Sequence, residues 1–382
     1  MNVCLITGIF PPDIGGPASY VSRLARALQG ESHKVVVVTL GDHPPDAPFP
    51  VWQVSRKLPL PLRILKLFCV LVQKGWSADV WYINGLELPA VLAGKLLRKA
   101  LVMKVVGDYA WERAMNTGLT SDAIDKFQHT RQAWKVELHK ALRTCCARQA
   151  ETVITPSQYL KTLVCGWGVP DERVHVIYNA VEPCSAELPS KTEIRNQLGF
   201  SADDLVLMTT GRLVAWKGID QLLQLLPHFG DAVKLLIVGD GPEKNRLTAL
   251  AHDLKITQRV RFLGQVSREQ GFAYMKASEA FVLNSAYEGF SHVLLEAMML
   301  GVPVLTTSVC GNPELVTHQE NGLLFPQGDL AAMKEQITSV LSDSALRERL
   351  TRGASCMILQ TSWERLLRET LNVLCRFSRS TL

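Results

Sequence analysis

Residues 279–307 read EAFVLNSAYEGFSHVLLEAMMLGVPVLTT, and their pattern sets the fold class. The runs AFVLN (280–284) and VPVLT (302–306) are short, apolar and rich in Val and Leu, as strands buried on both faces are. Between them Ser291 is placed to cap a helix over 292–300, which Gly301 stops and Pro303 keeps stopped. A strand–helix–strand of this length predicts a parallel, right-handed crossover. Ligands of such sheets bind beyond the carboxyl ends of the strands, so loop 285–291 is the chemically useful part. It ends in the backbone N–H groups of Ser291, His292 and Val293, which form an anion site. Glu288 lies in the loop, and Glu296, eight residues later on the helix, leans back toward the same ligand. Two acceptor-only carboxylates beside a phosphate-binding helix mouth suit a molecule that carries phosphates and hydroxyls, such as a nucleotide sugar. Taken alone, the same residues also read as solvated carboxylates in a plain βαβ unit.

The longer run EGFSHVLLEAMMLGVPV (288–304) separates these readings. It resembles the Glu-x7-Glu signature of retaining glycosyltransferases of the GT-B fold, of the glycosyltransferase family 4 (group 1) type. The resemblance implies an α/β chain of two Rossmann-like doubly wound domains facing a central cleft.

Composition agrees with a folded α/β chain. The sequence has 382 residues, enough for two cores, with 47% hydrophobic and 20% charged residues, which excludes a disordered chain. A net charge of +5 is too mild to argue for nucleic acid, and no nucleic-acid motif accompanies it. The nine cysteines include no C-x-x-C and sit mostly in apolar runs, which points to a reducing compartment. The N-terminal MNVCLITGIFPPD lacks the flank and length of a signal peptide, and no run approaches the ~20 apolar residues that span a bilayer. The expectation is a cytoplasmic chain, peripheral at most to the inner face of the membrane.

From the N-terminus, NVCLITG (2–8) reads as a buried strand, followed by a loop containing Gly15 and Gly16 and a helix with Val21, Leu24, Ala25 and Leu28 on one face. Further strands are expected at 34–40, 79–83, 100–106, 152–155 and 174–178, and in the second half at 205–210, 233–238, 260–263, 280–284 and 302–306. Periodicity fails over 179–190, which is read as the linker. The domains expected are 1–180 on the acceptor side and 181–361 on the donor side. The resemblance implies that the last helix, within 362–382, packs back on the first domain.

GRLVAWKGID follows strand 205–210, so Arg212 and Lys217 leave the same sheet edge as Glu288 and can neutralise a departing diphosphate. Gly239 and Gly241, in VGDGP, permit a tight turn near a ligand. The resemblance carries Arg212 and Lys217 over as leaving-group stabilisers and Glu296 as the ribose ligand. It assigns Glu288, with the backbone of Phe290 and Ser291 beside Gly289, to the donor sugar. It places Gly15, Gly16, Gly239 and Gly241 near the donor, and segment 261–267 near the base. Many family members carry a histidine where this chain has Asp108, so an aspartate is expected to meet the sugar here; a helix-capping aspartate is the other reading. No Asp-x-Asp occurs, so catalysis is expected to need no metal and no cofactor, the nucleoside-diphosphate sugar being the substrate. Residues 56–75 carry five cations (Arg56, Lys57, Arg63, Lys66, Lys74) among leucines and suit either an anionic membrane surface or a sheet-packing helix. The expected activity is transfer of a sugar to a hydroxyl of a glycan or lipid-linked acceptor, in cell-envelope polysaccharide or glycolipid synthesis. The alternatives are a nucleotide-sugar epimerase or a phosphorylase of the same architecture, or a non-catalytic nucleotide-sugar binding protein.

Overall fold

The computed structural model describes residues 1–13, 15–45, 47–181 and 187–377. The expected linker 179–190 therefore lies partly outside the described residues, at 182–186, as does the end of the expected terminal segment, at 378–382. The chain divides into two compact units, Met1–Ile177 with the segment from Glu364 onward, and Tyr178–Trp363.

The first unit holds seven strands: β1 (Asn2–Thr7), β2 (Lys34–Leu40), β3 (Val51–Val54), β4 (Val80–Asn84), β5 (Ala100–Lys104), β6 (Thr152–Thr155) and β7 (Val174–Val176). They form one parallel sheet in the order β3-β2-β1-β4-β5-β6-β7. The chain runs outward from β1 to β3, then crosses back to β4 on the other side of β1, so strand order reverses between β1 and β4. β1 pairs in parallel with both, Thr7 lying opposite Thr39 on β2 and Asn84 on β4. The helix Trp363–Cys375 returns to this unit, burying Leu366, Thr370, Val373 and Leu374, and Arg376 Nη1 lies 3.2 Å from His175 Nε2 just beyond β7's first residue.

The second unit repeats the plan with β8 (Leu205–Thr210), β9 (Val233–Val238), β10 (Val260–Gly264), β11 (Ala280–Leu283), β12 (Val304–Thr307) and β13 (Leu323–Phe325). Their order is β10-β9-β8-β11-β12-β13, all parallel, with the reversal between β8 and β11. Successive strand residues feed two cores: Leu207, Ile237, Val282 and Leu305 pack on one side, and Met208, Leu236, Phe281 and Val304 on the other. Burial on both faces is why these strands read as unbroken apolar runs rather than alternating ones. Glu279 ties the start of β11 to its surroundings: Arg195 Nη2 donates to both its oxygens (2.6 and 2.5 Å) and the Val206 amide to one (2.6 Å).

Two strands go beyond the sequence reading, β3 and β13. Both are edge strands of three or four residues, too short for a run of Val and Ile to stand out. The expected strands 100–106 and 174–178 end earlier, at Lys104 and Val176.

Candidate active site

In each unit the crevice at the reversal of strand order is where a doubly wound sheet leaves room for a ligand. In the second unit that crevice lies between the loop after β8, with Arg212 and Lys217, and the loop after β11, with Glu288. The two loops are fastened together. The Ala286 amide donates to Trp216 O (2.7 Å), and Asn284 Nδ2 donates to Gly218 O (3.0 Å) and Gln221 Oε1 (2.8 Å). Gly218 has φ 59°, and a Cβ there would stand 2.4 Å from Asn284 O, so only glycine fits this junction. Lys217 Nζ donates to Glu288 Oε1, a pair in which both side chains are mostly buried. Arg212, by contrast, is exposed, and its guanidinium bonds to none of the described residues.

The helix after Glu288 spans His292–Met299, with Ser291 Oγ accepting from Leu294 N at a loose 3.5 Å. Phe290 is buried against Tyr178 (5.0 Å between ring centroids), and its carbonyl accepts from Asn179 Nδ2 (3.1 Å), which fixes the backbone of the Gly289–Ser291 turn. Glu296 lines a cavity of about 160 Å³ with Thr210, Val238, Ser267 and Arg268, at the carboxyl ends of β8 and β9. Burial pushes its carboxyl above the usual range, and Arg268, whose Nε stands 3.6 Å away, offsets this in part. Sequence reasoning did not single out Arg268; a cation just after the 261–267 segment was the available signal.

Gly239 and Gly241 act by packing. A Cβ on Gly239 would stand 2.0 Å from Gly211 O, and one on Gly241 2.4 Å from Leu213 O, so the loop after β9 lies directly on the loop that carries Arg212.

In the first unit, Gly16 begins the helix Gly16–Gly30 and Gly15 precedes it. The preceding loop is anchored by Arg56, whose Nη2 donates to Asp13 Oδ2 (2.5 Å), Leu40 O (3.0 Å) and Gly8 O (3.2 Å). Arg56, one of the five cations over 56–75, is thus a structural clamp. A cavity of about 330 Å³ opens at the carboxyl ends of β1, β4 and β5, at the strand-order reversal, and Gly8, Asn84, Glu87, Lys104 and Arg143 line it.

Asp108 requires a correction. Its side chain is fully buried: Oδ1 accepts from the amides of Ala110 (3.0 Å) and Trp111 (3.3 Å), and Oδ2 from Gln128 Nε2 (2.9 Å) and Arg143 Nη1. No lone pair is left to meet a sugar. Asp108 caps the helix Tyr109–Asn116 and holds Arg143, whose guanidinium stacks on Trp167 at 4.0 Å. The helix-capping alternative is the one realised, and Arg143 is the group that reaches the cavity.

Comparison with known proteins gives the arrangement its family. Residues 190–355 match the family described as Glycosyl transferases group 1, and residues 15–180 the Glycosyl transferase 4-like domain. The chain belongs to the group 1, family 4-like glycosyltransferases of the GT-B fold. An uncharacterized glycosyltransferase of Methanocaldococcus jannaschii is 28% identical over 98% of this chain and 97% of its own. The lipopolysaccharide core biosynthesis glycosyltransferase LpsD of Rhizobium meliloti is 32% identical over 54% of this chain and 57% of its own. Among solved structures, Anabaena HepE in complex with UDP and glucose superposes with a TM-score of 0.79 at 21% identity, covering 98% of this chain and 100% of that one. Sucrose-phosphate synthase from Thermosynechococcus elongatus superposes at 0.81 and 22% identity, covering 99% and 100%.

In this glycosyltransferase Asp108 therefore bears on stability. Asp108→Ala uncaps a helix and strands a buried guanidinium, and should cost about 3 kcal/mol or more. Urea unfolding of the variant checks this, and an unchanged transition would contradict the structural role.

Proposed function

We propose that this glycosyltransferase moves a sugar from a nucleoside diphosphate to a hydroxyl of a glycan or lipid-linked acceptor, with retention of anomeric configuration. The observation that carries the reading is the convergence of Arg212, Lys217, Glu288 and the Glu296 cavity at one strand-order reversal. UDP and glucose in the HepE structure support a nucleotide-sugar donor. Relatives in lipopolysaccharide core and teichuronic acid biosynthesis support an envelope glycan as the product.

In this reading the diphosphate competes with Glu288 for Lys217 and gains Arg212, whose side chain is exposed. Glu296 accepts from the ribose hydroxyls. Released from Lys217, Glu288 faces the sugar, where positive charge develops as the bond from the anomeric carbon to the phosphate oxygen breaks. The acceptor oxygen bonds to that carbon on the face the phosphate leaves, and its proton passes to the departing phosphate oxygen. The products are the glycoside and the nucleoside diphosphate. Two fixed cations supply the charge neutralisation that a metal supplies elsewhere, so the reaction is metal-independent and uses no cofactor.

Kinetics of three variants test these roles. Lys217→Ala should lower kcat about 100-fold, since the leaving charge grows in the transition state. Glu288→Gln should also act mainly on kcat, whereas Glu296→Gln should mainly raise the donor KM. Normal turnover by Lys217→Ala, together with unaffected Glu288 and Glu296 variants, would remove the site from the mechanism.

The same reading includes a peripheral membrane contact. Among the described residues no helix is long and apolar enough to cross a membrane. The helix Leu60–Gly75 buries Leu67 and Leu71 and turns Leu62, Leu65, Lys66 and Cys69 outward, Leu62 and Leu65 each more than half exposed. Arg63 and Lys74 are engaged, with Arg56 O and the Trp52 ring, so the outward face is more apolar than its sequence suggested. Such a face suits shallow insertion beside Lys66 and the exposed Lys57. Leu62→Ser with Leu65→Ser should weaken binding to anionic vesicles about tenfold or more. Equal binding by wild type and variant in a sedimentation assay would leave this helix as sheet packing only.

A further inference from the structure

The cavity of the first unit is lined by polar groups whose hydrogen-bonding capacity the described residues leave partly unused. Asn84 is 7% exposed, lines the cavity, and its amide bonds to none of the described residues. An amide that faces a cavity with no partner in the surrounding residues keeps its donor and its acceptor available to a ligand. Glu87 lines the same wall, its carboxylate turned only toward its own backbone N–H. Arg143 is 8% exposed; Nη1 is taken by Asp108 and Gln128, and Nη2 bonds to none of the described residues.

The backbone between Asn84 and Glu87 is strained. Gly85 has φ 112° and Leu86 φ 60°, the latter in the left-handed region that a leucine rarely enters. A Cβ on Gly85 would stand 3.3 Å from Gly8 N, so the turn is pressed against the end of β1. A leucine is disfavoured in this conformation, and strain of this kind concentrates at binding sites. Its result here is that the residues on both sides of the turn line one cavity.

The charges at the wall do not sum to an anion site. The positive charge of Arg143 is balanced by Asp108 directly behind it. Lys104 lies buried over the Tyr20 ring at 3.6 Å, and burial pulls its ammonium down to about 7, which disfavours its charged form. Glu87 and Glu112 line the same space. A phosphate or carboxylate entering would meet two carboxyl groups, a guanidinium already compensated by Asp108, and a lysine whose charged form burial disfavours.

Uncharged hydroxyls match better. Asn84 offers a donor and an acceptor, Glu87 an acceptor and Arg143 a donor, with the Tyr109 and Trp167 rings as apolar walls. We propose that this cavity recognises the acceptor as an uncharged sugar residue, Asn84 and Glu87 bonding its hydroxyls and Arg143 Nη2 donating to one of its oxygens. The proposal rests on the glycosyl-transfer reading and narrows its acceptor.

It also carries a pH dependence. The titratable or charged groups facing Glu87 are Tyr109, Glu112 and Lys104, with Arg143 and Cys146 from the helix Trp134–Gln149. Burial raises the Glu87 carboxyl above the usual range. The ionised form accepts from the sugar, so acceptor affinity is full above that raised value and falls as pH drops through it.

The test uses the whole protein with the donor, among UDP-, GDP-, ADP- and dTDP-glucose, that it slowly hydrolyses. The acceptors are p-nitrophenyl glucoside and galactoside against p-nitrophenyl glucuronide and glucose 6-phosphate. The neutral glycosides should exceed the charged acceptors about tenfold or more in kcat/KM. Glu87→Gln should raise the KM for the neutral acceptor about tenfold with little loss of kcat, narrow the preference against the glucuronide, and abolish the acid limb of the acceptor KM profile. A wild-type preference for the charged acceptors would overturn the proposal, as would Glu87→Gln with unchanged acceptor KM and selectivity. Donor hydrolysis with either result leaves the glycosyl-transfer reading standing. Its absence with every donor removes that reading, and this proposal with it.

Discussion

The bond between Lys217 and Glu288 joins two loops brought together because β11 lies beside β8 in the sheet. Parallel strands with buried faces leave their loops as the only place for polar chemistry. The reversal of strand order sends the loops after β8 and β11 to opposite faces of the sheet and opens the crevice between them. Asn284 bonding to Gly218, and Ala286 to Trp216, then hold the crevice at a fixed width. A mostly buried ammonium–carboxylate pair adds little net stability and is costly to break from one side only. It makes better sense as a resting arrangement that an incoming diphosphate exchanges for a stronger partner.

Much of this was legible from the sequence because burial on both faces leaves a plain record. The runs 205–210, 233–238 and 34–40 are strands over those ranges, and the helix expected at 292–300 spans His292–Met299. The positions of Arg212, Lys217 and Glu288 followed from their place just after such strands. The proximity of Lys217 to Glu288 did not, because a residue separation of 71 says nothing about contact until the topology is known. Asp108 shows the opposite failure. A capping aspartate and a ligand-facing one look alike in a Gly-Asp-Tyr turn, and what separated them was Arg143, 35 residues away.

Glu87 and Asn84 were passed over for a related reason. An acidic residue in the first turn of a helix is ordinarily explained by the helix dipole, and Asn-Gly after a strand by the turn. Only the left-handed Leu86 and the shared cavity turn these two commonplace residues into one recognition surface. The two units thus use the same device, a strand-order reversal, with different chemistry: an exposed and a paired cation in the second, offset charges beside the Asn84 amide in the first.

The central claim is that the second unit recognises a diphosphate through its own cations. Titration calorimetry of the protein in EDTA with UDP, GDP, ADP and dTDP, each beside its monophosphate and its nucleoside, tests it most directly. The account predicts that the preferred diphosphate binds about tenfold or more tightly than its monophosphate, and that added salt narrows the difference. Equal affinity for diphosphate and nucleoside, or binding that vanishes in EDTA and returns with Mg²⁺, would contradict it.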